Sequence, residues 1–199
     1  MKLSIARAIR KFGNGARIVS ELKVFNEFDP RLAIAWACDA ATITAILQTV
    51  GVRFEQWQAN ANLPDGPTQA QVFDAYASDI ARLKQLGGYQ SVDVVSMVPN
   101  HPEKATMRTK FLDEHIHSED EVRFFVSGQG LFSLHIDHKV YEVLCTKGDL
   151  LNVPANTRHW FDMGPNPCFT AIRMFINPEG WVAKMTLSDI AQRFTRLAA

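Results

Sequence analysis

The chain has 199 residues, 47% hydrophobic and 21% charged, with 21 basic and 21 acidic side chains and a formal net charge of zero. That size suits one domain whose core is large enough to fold without disulfide or metal staples. The neutral balance argues against a nucleic-acid or polyanion partner, and no apolar run approaches the length of a membrane span.

The charge is unevenly spread. Residues 1–20 hold Lys2, Arg7, Arg10, Lys11 and Arg17 and no acid, so the rest carries 16 basic and 21 acidic residues, a net of −5. We read residues 1–20 as a basic extension, poorly ordered or marginally helical, and residues 21–199 as one domain. The extension has a weak likeness to an organelle-targeting segment, but it lacks the apolar stretch of a secretory signal. Cys38, Cys145 and Cys168 are odd in number and widely spaced, which fits reduced thiols in the cytoplasm.

In chain order, Leu22–Phe25 reads as a strand and Leu32–Ala37 as a second short apolar segment. Asp39 can cap a helix reaching Val50, with Ile43, Ile46, Leu47 and Val50 on one face and Gly51 as its stop. Val52–Trp57 alternates like a strand, and residues 62–67 form a loop. Thr68-x-x-Gln71 is a capping box for a second helix, whose stripe is Val72, Tyr76, Ile80, Leu83 and Leu86, ending at Gly87-Gly88. Val92–Val98 is a strand stopped by Pro99, and residues 102–111 form a short helix. From there to about residue 176 the pattern is strands and tight turns, with turns expected at Gly128–Gly130, Ile136–Lys139 and Gly164–Pro167. A last helix is expected over Leu187–Arg196.

The chemistry-bearing pattern is His115-x-His117-x3-Glu121, with His159 further along the chain. Successive strand side chains alternate faces, so His115 and His117 point the same way. Three imidazoles and a carboxylate suit Fe(II), Ni(II), Zn(II) or Mn(II), and a six-coordinate ion would keep positions open for substrate. Gly128 follows Glu121 after six residues, and Gly148-x5-Pro154 leads into His159. Together these are similar to the two motifs of the cupins, which implies a mainly β fold with flanking helices (α+β), a cupin jelly-roll β-barrel. Two positions depart from the pattern. Thr109 stands where the first motif has a leading Gly, and Asn156 stands where the second has Gly; Asn is the next most tolerant residue of positive φ.

The neighbouring words are more specific. Glu114-His-Ile-His117, Asp120-Glu-Val-Arg-Phe-Phe125, Gly148-Asp-Leu150, His159-Trp-Phe-Asp-Met-Gly164, Ala171-Ile-Arg173 and Asn177-Pro-Glu-Gly-Trp181 together resemble the acireductone dioxygenase family. The resemblance runs from about residue 22 to the C-terminus. It implies a methionine-salvage enzyme acting on 1,2-dihydroxy-3-keto-5-methylthiopentene and O2. One Fe(II) or Ni(II) per chain would be held by His115, His117, Glu121 and His159. The Fe(II) form would give 2-keto-4-methylthiobutyrate and formate, and the Ni(II) form 3-methylthiopropionate, formate and carbon monoxide.

Alternation places Arg123 and Phe125 on the face of Glu121. Arg123 can make a charge-assisted contact to an enolate oxygen, and the resemblance assigns it to generating the dianion; the plain alternative is a salt bridge to Glu121 or Asp120. By the same resemblance Glu114, opposite the histidines, aids metal loading, and Asp120 relays local conformational change. Phe111, Phe161 and Trp181 are candidates for the pocket around the methylthio tail or for ordinary core. Arg173 interrupts an apolar strand and needs a partner if buried. His101, His135 and His138 read as structural or solvent-facing. A monomer without membrane or nucleic-acid partners is expected. The competing readings are another cupin oxygenase, a sugar isomerase and a non-catalytic binding module.

Overall fold

The computed structural model describes residues 18–177 and 182–198. All but the last three residues of the basic extension therefore lie outside the described residues, as does Trp181. The elements in chain order are β1 (Glu21–Asn26), β2 (Asp29–Ala37), α1 (Ala40–Gln48), β3 (Arg53–Gln56), α2 (Gln69–Ala75), α3 (Ala77–Gly87), β4 (Ser91–Met97) and α4 (Lys104–Leu112). They continue as β5 (His115–Ile116), β6 (Glu121–Ile136), β7 (Lys139–Thr146), β8 (Asp149–Val153), β9 (Arg158–Asp162), β10 (Phe169–Phe175), β11 (Lys184–Met185) and α5 (Ile190–Arg193).

Every strand pairing among the described residues is antiparallel, and β6 organises the barrel. Its first half pairs β8 and β10, which carry β3 and β4 at their outer edges. Its second half pairs β7 and β9, extending one way through β1 to β2 and the other through β5 to β11. One long strand thus belongs to both walls, the arrangement of a cupin jelly roll. The turn expected at Gly128–Gly130 is instead the bend inside this strand. Gly128 has φ +70°, and a Cβ there would meet the Cys168 carbonyl oxygen at 1.9 Å, so only glycine lets β10 pass this close.

Between the walls lie Phe54, Phe125, Phe132, Phe161, Phe169 and Ala171, all buried. Each fully buried Phe contributes about 1.5–3 kcal/mol. A second cluster sits outside the β4–β10 wall under α2 and α3, and a third joins Phe25, Val140 and Trp160 to Ile190 and Phe194.

Most local signals translate directly. Asp39 accepts from the Thr42 amide at 2.9 Å, and the Thr68/Gln71 capping box is present. The tight turn at residues 136–139 is made with Asp137 and His138 at φ 48° and 59°. Asn156 stands at φ 60°, in the left-handed region that its place in the motif demands. Two helices differ from expectation. The helix after Thr68 breaks at Tyr76 (φ −118°, ψ 23°), whose ring is buried edge-on against Phe124. The stripe continues across the break because both halves pack on one surface. The C-terminal helix shrinks to Ile190–Arg193, and the chain extends from Phe194 as its ring packs against Phe25 and Trp160.

Candidate metal centre

The three histidines come from two adjacent strands and the turn after one of them. His115 on β5 faces His159 on β9 in direct register, and His117 follows two residues on. All three are buried, and one ring nitrogen from each lies within 4.8 Å of the others. Glu121 opens β6, and its Oε2 is 3.5 Å from His117 Nε2 and 3.4 Å from His159 Nε2.

Hydrogen bonding sets the tautomers. His115 Nδ1 donates to the Asp113 carbonyl and His159 Nδ1 to the Thr157 carbonyl, each at 2.8 Å. A carbonyl only accepts, so the proton sits on Nδ1 and the lone pair on Nε2 faces inward. His159 Nε2 is buried without a hydrogen-bond partner among the described residues. An imidazole lone pair and a carboxylate oxygen therefore face each other at 3.4 Å with nothing positive between them. A cation satisfies that arrangement, and three nitrogens plus a carboxylate are a donor set for a divalent transition metal.

The electrostatics agree. Burial above all, and then the electrostatic influence of the His159 ring, pushes His115 down to about 4, and burial also lowers His117. Both are neutral at pH 7, as candidate ligands must be. Burial works to raise Glu121, but the Arg123 guanidinium and the imidazoles overcome it and hold the carboxyl well below its ordinary range.

Arg123 is buried on the same face, donating from Nη2 to Glu121 Oε1. Its guanidinium carbon lies 4.9 Å from the Phe161 ring centroid and 5.1 Å from that of Phe132. Its Nε has no partner among the described residues. Glu114 points to the other side of the sheet: its Oε1 takes a 2.6 Å bond from His135, and its Oε2 one of 2.6 Å from Thr186. Asp120 accepts from the Ala155 amide at 2.9 Å, tying the Glu121 strand to the turn before His159.

Phe111 lies beside the site, 6.4 Å from the His115 ring, half-buried against the core. Phe161 is deep in the core, 4.7 Å from Phe132, and meets the site through Arg123. Arg173 faces the interior opposite Arg123 and is held by Asp93 through bonds of 2.9 and 2.6 Å.

The sequence reading missed Asp93 and the role of His135. A signal existed for the first: Asp93 is the lone acid in an apolar strand, as Arg173 is the lone base in another. His135 sits in an ordinary alternating strand and offered none. It bridges Glu114 and Glu27 at 2.6 and 2.7 Å, and Glu27 also holds the exposed His138 at 2.6 Å.

Barrel, convergent histidines and inward lone pairs define the class: a metal-binding protein of cupin fold. The model of the ARD/ARD' family matches residues 37–183, and the chain belongs to that family. A relative named acireductone dioxygenase from Alcanivorax borkumensis is 63% identical over 90% of this chain and 99% of its own. One of the same name from Pseudomonas paraeruginosa is 55% identical over 90% and 99%. The solved structure of acireductone dioxygenase from Bacillus anthracis, with a cadmium ion in its active centre, matches with a TM-score of 0.71 and 30% identity. It covers 85% of this chain and 99% of that one.

Proposed function

We propose that this chain is a metal-dependent dioxygenase that cleaves acireductone with O2 in methionine salvage. The observation that carries the reading is the opposed pair of His159 Nε2 and Glu121 Oε2, completed by His115 and His117 and flanked by Arg123. A divalent ion bound there supplies Lewis-acid stabilisation of an ene-diolate and a fixed chelation geometry.

The rest of the work belongs to side chains. His115, His117, His159 and Glu121 hold the ion, with Fe(II) and Ni(II) the metals that suit the reaction. Arg123 presents its Nε to an enolate oxygen and favours the ionised substrate over the neutral ene-diol. Its planar group is braced by Phe132 and Phe161, so the donor is aimed before substrate arrives. Phe111 supplies apolar wall for the methylthio tail, and Arg173 lines the opposite side. Glu114 and Asp120 act from outside the ligand set. Glu114 anchors the strand that carries His115, and Asp120 couples Glu121 to the turn before His159.

We read residues 21–199 as the catalytic domain, acting as a cytoplasmic monomer. No helix among the described residues is long and apolar enough to cross a membrane. The test is metal analysis followed by O2 uptake with acireductone on Fe(II)- and Ni(II)-loaded protein. Uptake with formate release is expected from both, with carbon monoxide from the nickel form alone. Metal binding without O2 uptake would favour a binding module, and turnover of a sugar instead would favour an isomerase.

A further inference from the structure

The helix α4 leads straight into the metal centre: only Asp113 and Glu114 separate its last residue, Leu112, from His115. Its half-buried face is Lys104, Met107, Arg108, Phe111 and Leu112, the spacing of one helical stripe. Met107 and Phe111 pack against the core, and Arg108 is the charge at the middle of the stripe. The hold is otherwise thin. No residue of α4 is fully buried, and its N-cap, Glu103, makes no side-chain bond to the helix. Lys104 reaches the Pro99 carbonyl and Asn166 at one end, and Arg196 reaches the Leu112 carbonyl at the other.

Asp162 on β9 answers Arg108. Its side chain is 1% exposed, against 22% for Arg108, and both its oxygens accept from the guanidinium, Nε to Oδ1 at 2.7 Å and Nη2 to Oδ2 at 2.9 Å. The amides of Gly164 and Leu197 also donate to it, at 2.8 and 2.9 Å. Because β9 carries His159, one ion pair ties the helix before His115 to the strand of His159. A fork-to-fork contact fixes the guanidinium plane as a single contact does not, and a shielded pair is not the loose surface kind. At the far end of the same helix the Phe111 ring centroid lies 6.4 Å from that of His115 and 5.6 Å from Nζ of the exposed Lys110. Phe111 therefore marks the rim of the buried centre.

We propose that Arg108 and Asp162 are positioning residues for substrate specificity: their pairing sets how close Phe111 stands to the metal centre, and so how long a tail the site accepts. This rests on the acireductone reading above, in which Phe111 walls the methylthio tail. An apolar wall rejects an oversized tail only if it cannot retreat. A helix pinned at its middle by two parallel hydrogen bonds holds the wall in place, whereas one resting on half-buried side chains yields. A pair that merely stabilised the fold would change the rates for all tails by the same factor.

The test uses the metal-loaded full chain and two acireductones that differ only in the tail, methylthioethyl and n-octyl. Metal content and kcat/KM for both are measured on wild type, Arg108→Gln, Arg108→Lys, Phe111→Ala and the double variant of R108Q with F111A. Wild type is expected to prefer methylthioethyl by about 100-fold or more. R108Q is expected to keep its metal and to cut that preference by about tenfold, chiefly through a lower KM for the octyl substrate. R108K keeps the charge but loses the fork, and should cut it by about threefold or more. In F111A the wall is gone, so adding R108Q should change the preference by no more than about twofold.

A preference in R108Q within about twofold of wild type overturns the proposal, as does a larger change on adding R108Q to F111A. A wild type that takes both tails equally well overturns it too, since there is then no wall to position. Should R108Q fail to fold, R108K decides in its place, and an unchanged preference there overturns the proposal. The two layers fail differently. A wild-type protein inert toward acireductone ends the functional reading, whereas an active wild type with an unchanged R108Q ends only the role of Arg108 and Asp162.

Discussion

Glu114 and His115 are neighbours in the chain and face opposite sides of one sheet. His115 turns its Nε2 into the metal centre, and Glu114 turns its carboxylate onto His135, 2.6 Å away. His135 also binds Glu27 and so ties the strand of a candidate metal ligand to the β1–β2 hairpin. Both of its ring nitrogens face carboxylates, so both carry protons, and the Glu114 bond above all raises its pKa.

Replacing His135 with Leu would leave two buried carboxylates facing apolar surface. We expect a loss of about 2–3 kcal/mol, seen as a fall of roughly 5–10 °C in the melting temperature of the metal-free protein. A melting point within about 1 °C of wild type would show that the bridge contributes nothing.

Arg123→Ala should keep the metal and lose turnover. The imidazoles and Glu121 remain, but the aimed donor to the enolate is gone, at a cost of roughly 10²–10³ in kcat. Metal analysis beside O2-uptake kinetics checks both halves, and unimpaired turnover would remove Arg123 from the mechanism.

Metal uptake should release few protons. His115 lies near 4, so it enters the complex already neutral, and burial lowers His117 as well. At pH 6, where ordinary imidazoles are mostly protonated, calorimetry in buffers of different ionisation enthalpy should give about one proton or fewer released per metal bound. Release of two or more would mean that the buried imidazoles are charged before the ion arrives.

Glu142 gives a pH-dependent stability with a defined sign. Burial raises its carboxyl to about 7, opposed by the Thr195 amide and by Lys23. An acid whose folded pKa lies above its unfolded value holds its proton longer when folded. Its contribution is complete below about 4.5 and is lost as pH rises through about 7. Glu142→Gln should therefore be less pH-sensitive, gaining up to ~3 kcal/mol on wild type between pH 5 and 8. His135 adds a dependence of the same sign to both proteins, so the difference between their melting curves isolates Glu142. Parallel curves would refute the assignment.

The convergence of His115, His117 and His159 was legible in part because alternation and turn chemistry are local. His115-x-His117 needs only a strand, the Asn156 turn only a residue tolerant of positive φ, and the Thr68 box only three residues of spacing. The break at Tyr76 was not legible, because an unbroken helical stripe and one kinked to fit Phe124 read alike. Nor was the bend at Gly128, where the deciding contact is the Cys168 carbonyl, 40 residues away in the chain.

The sequence by itself determined the faces of the strands and the four side chains suited to a metal, which follow from period and residue type, and the barrel class, which its likeness to the cupin motifs implied. Only the tertiary structure decided which charges are partners: Arg173 with Asp93, Arg123 with Glu121, and His135 between Glu27 and Glu114. The physical reason is that a buried ion pair depends on strand register across the sheet. Register between distant segments is set by how the whole core packs, and no local pattern carries it.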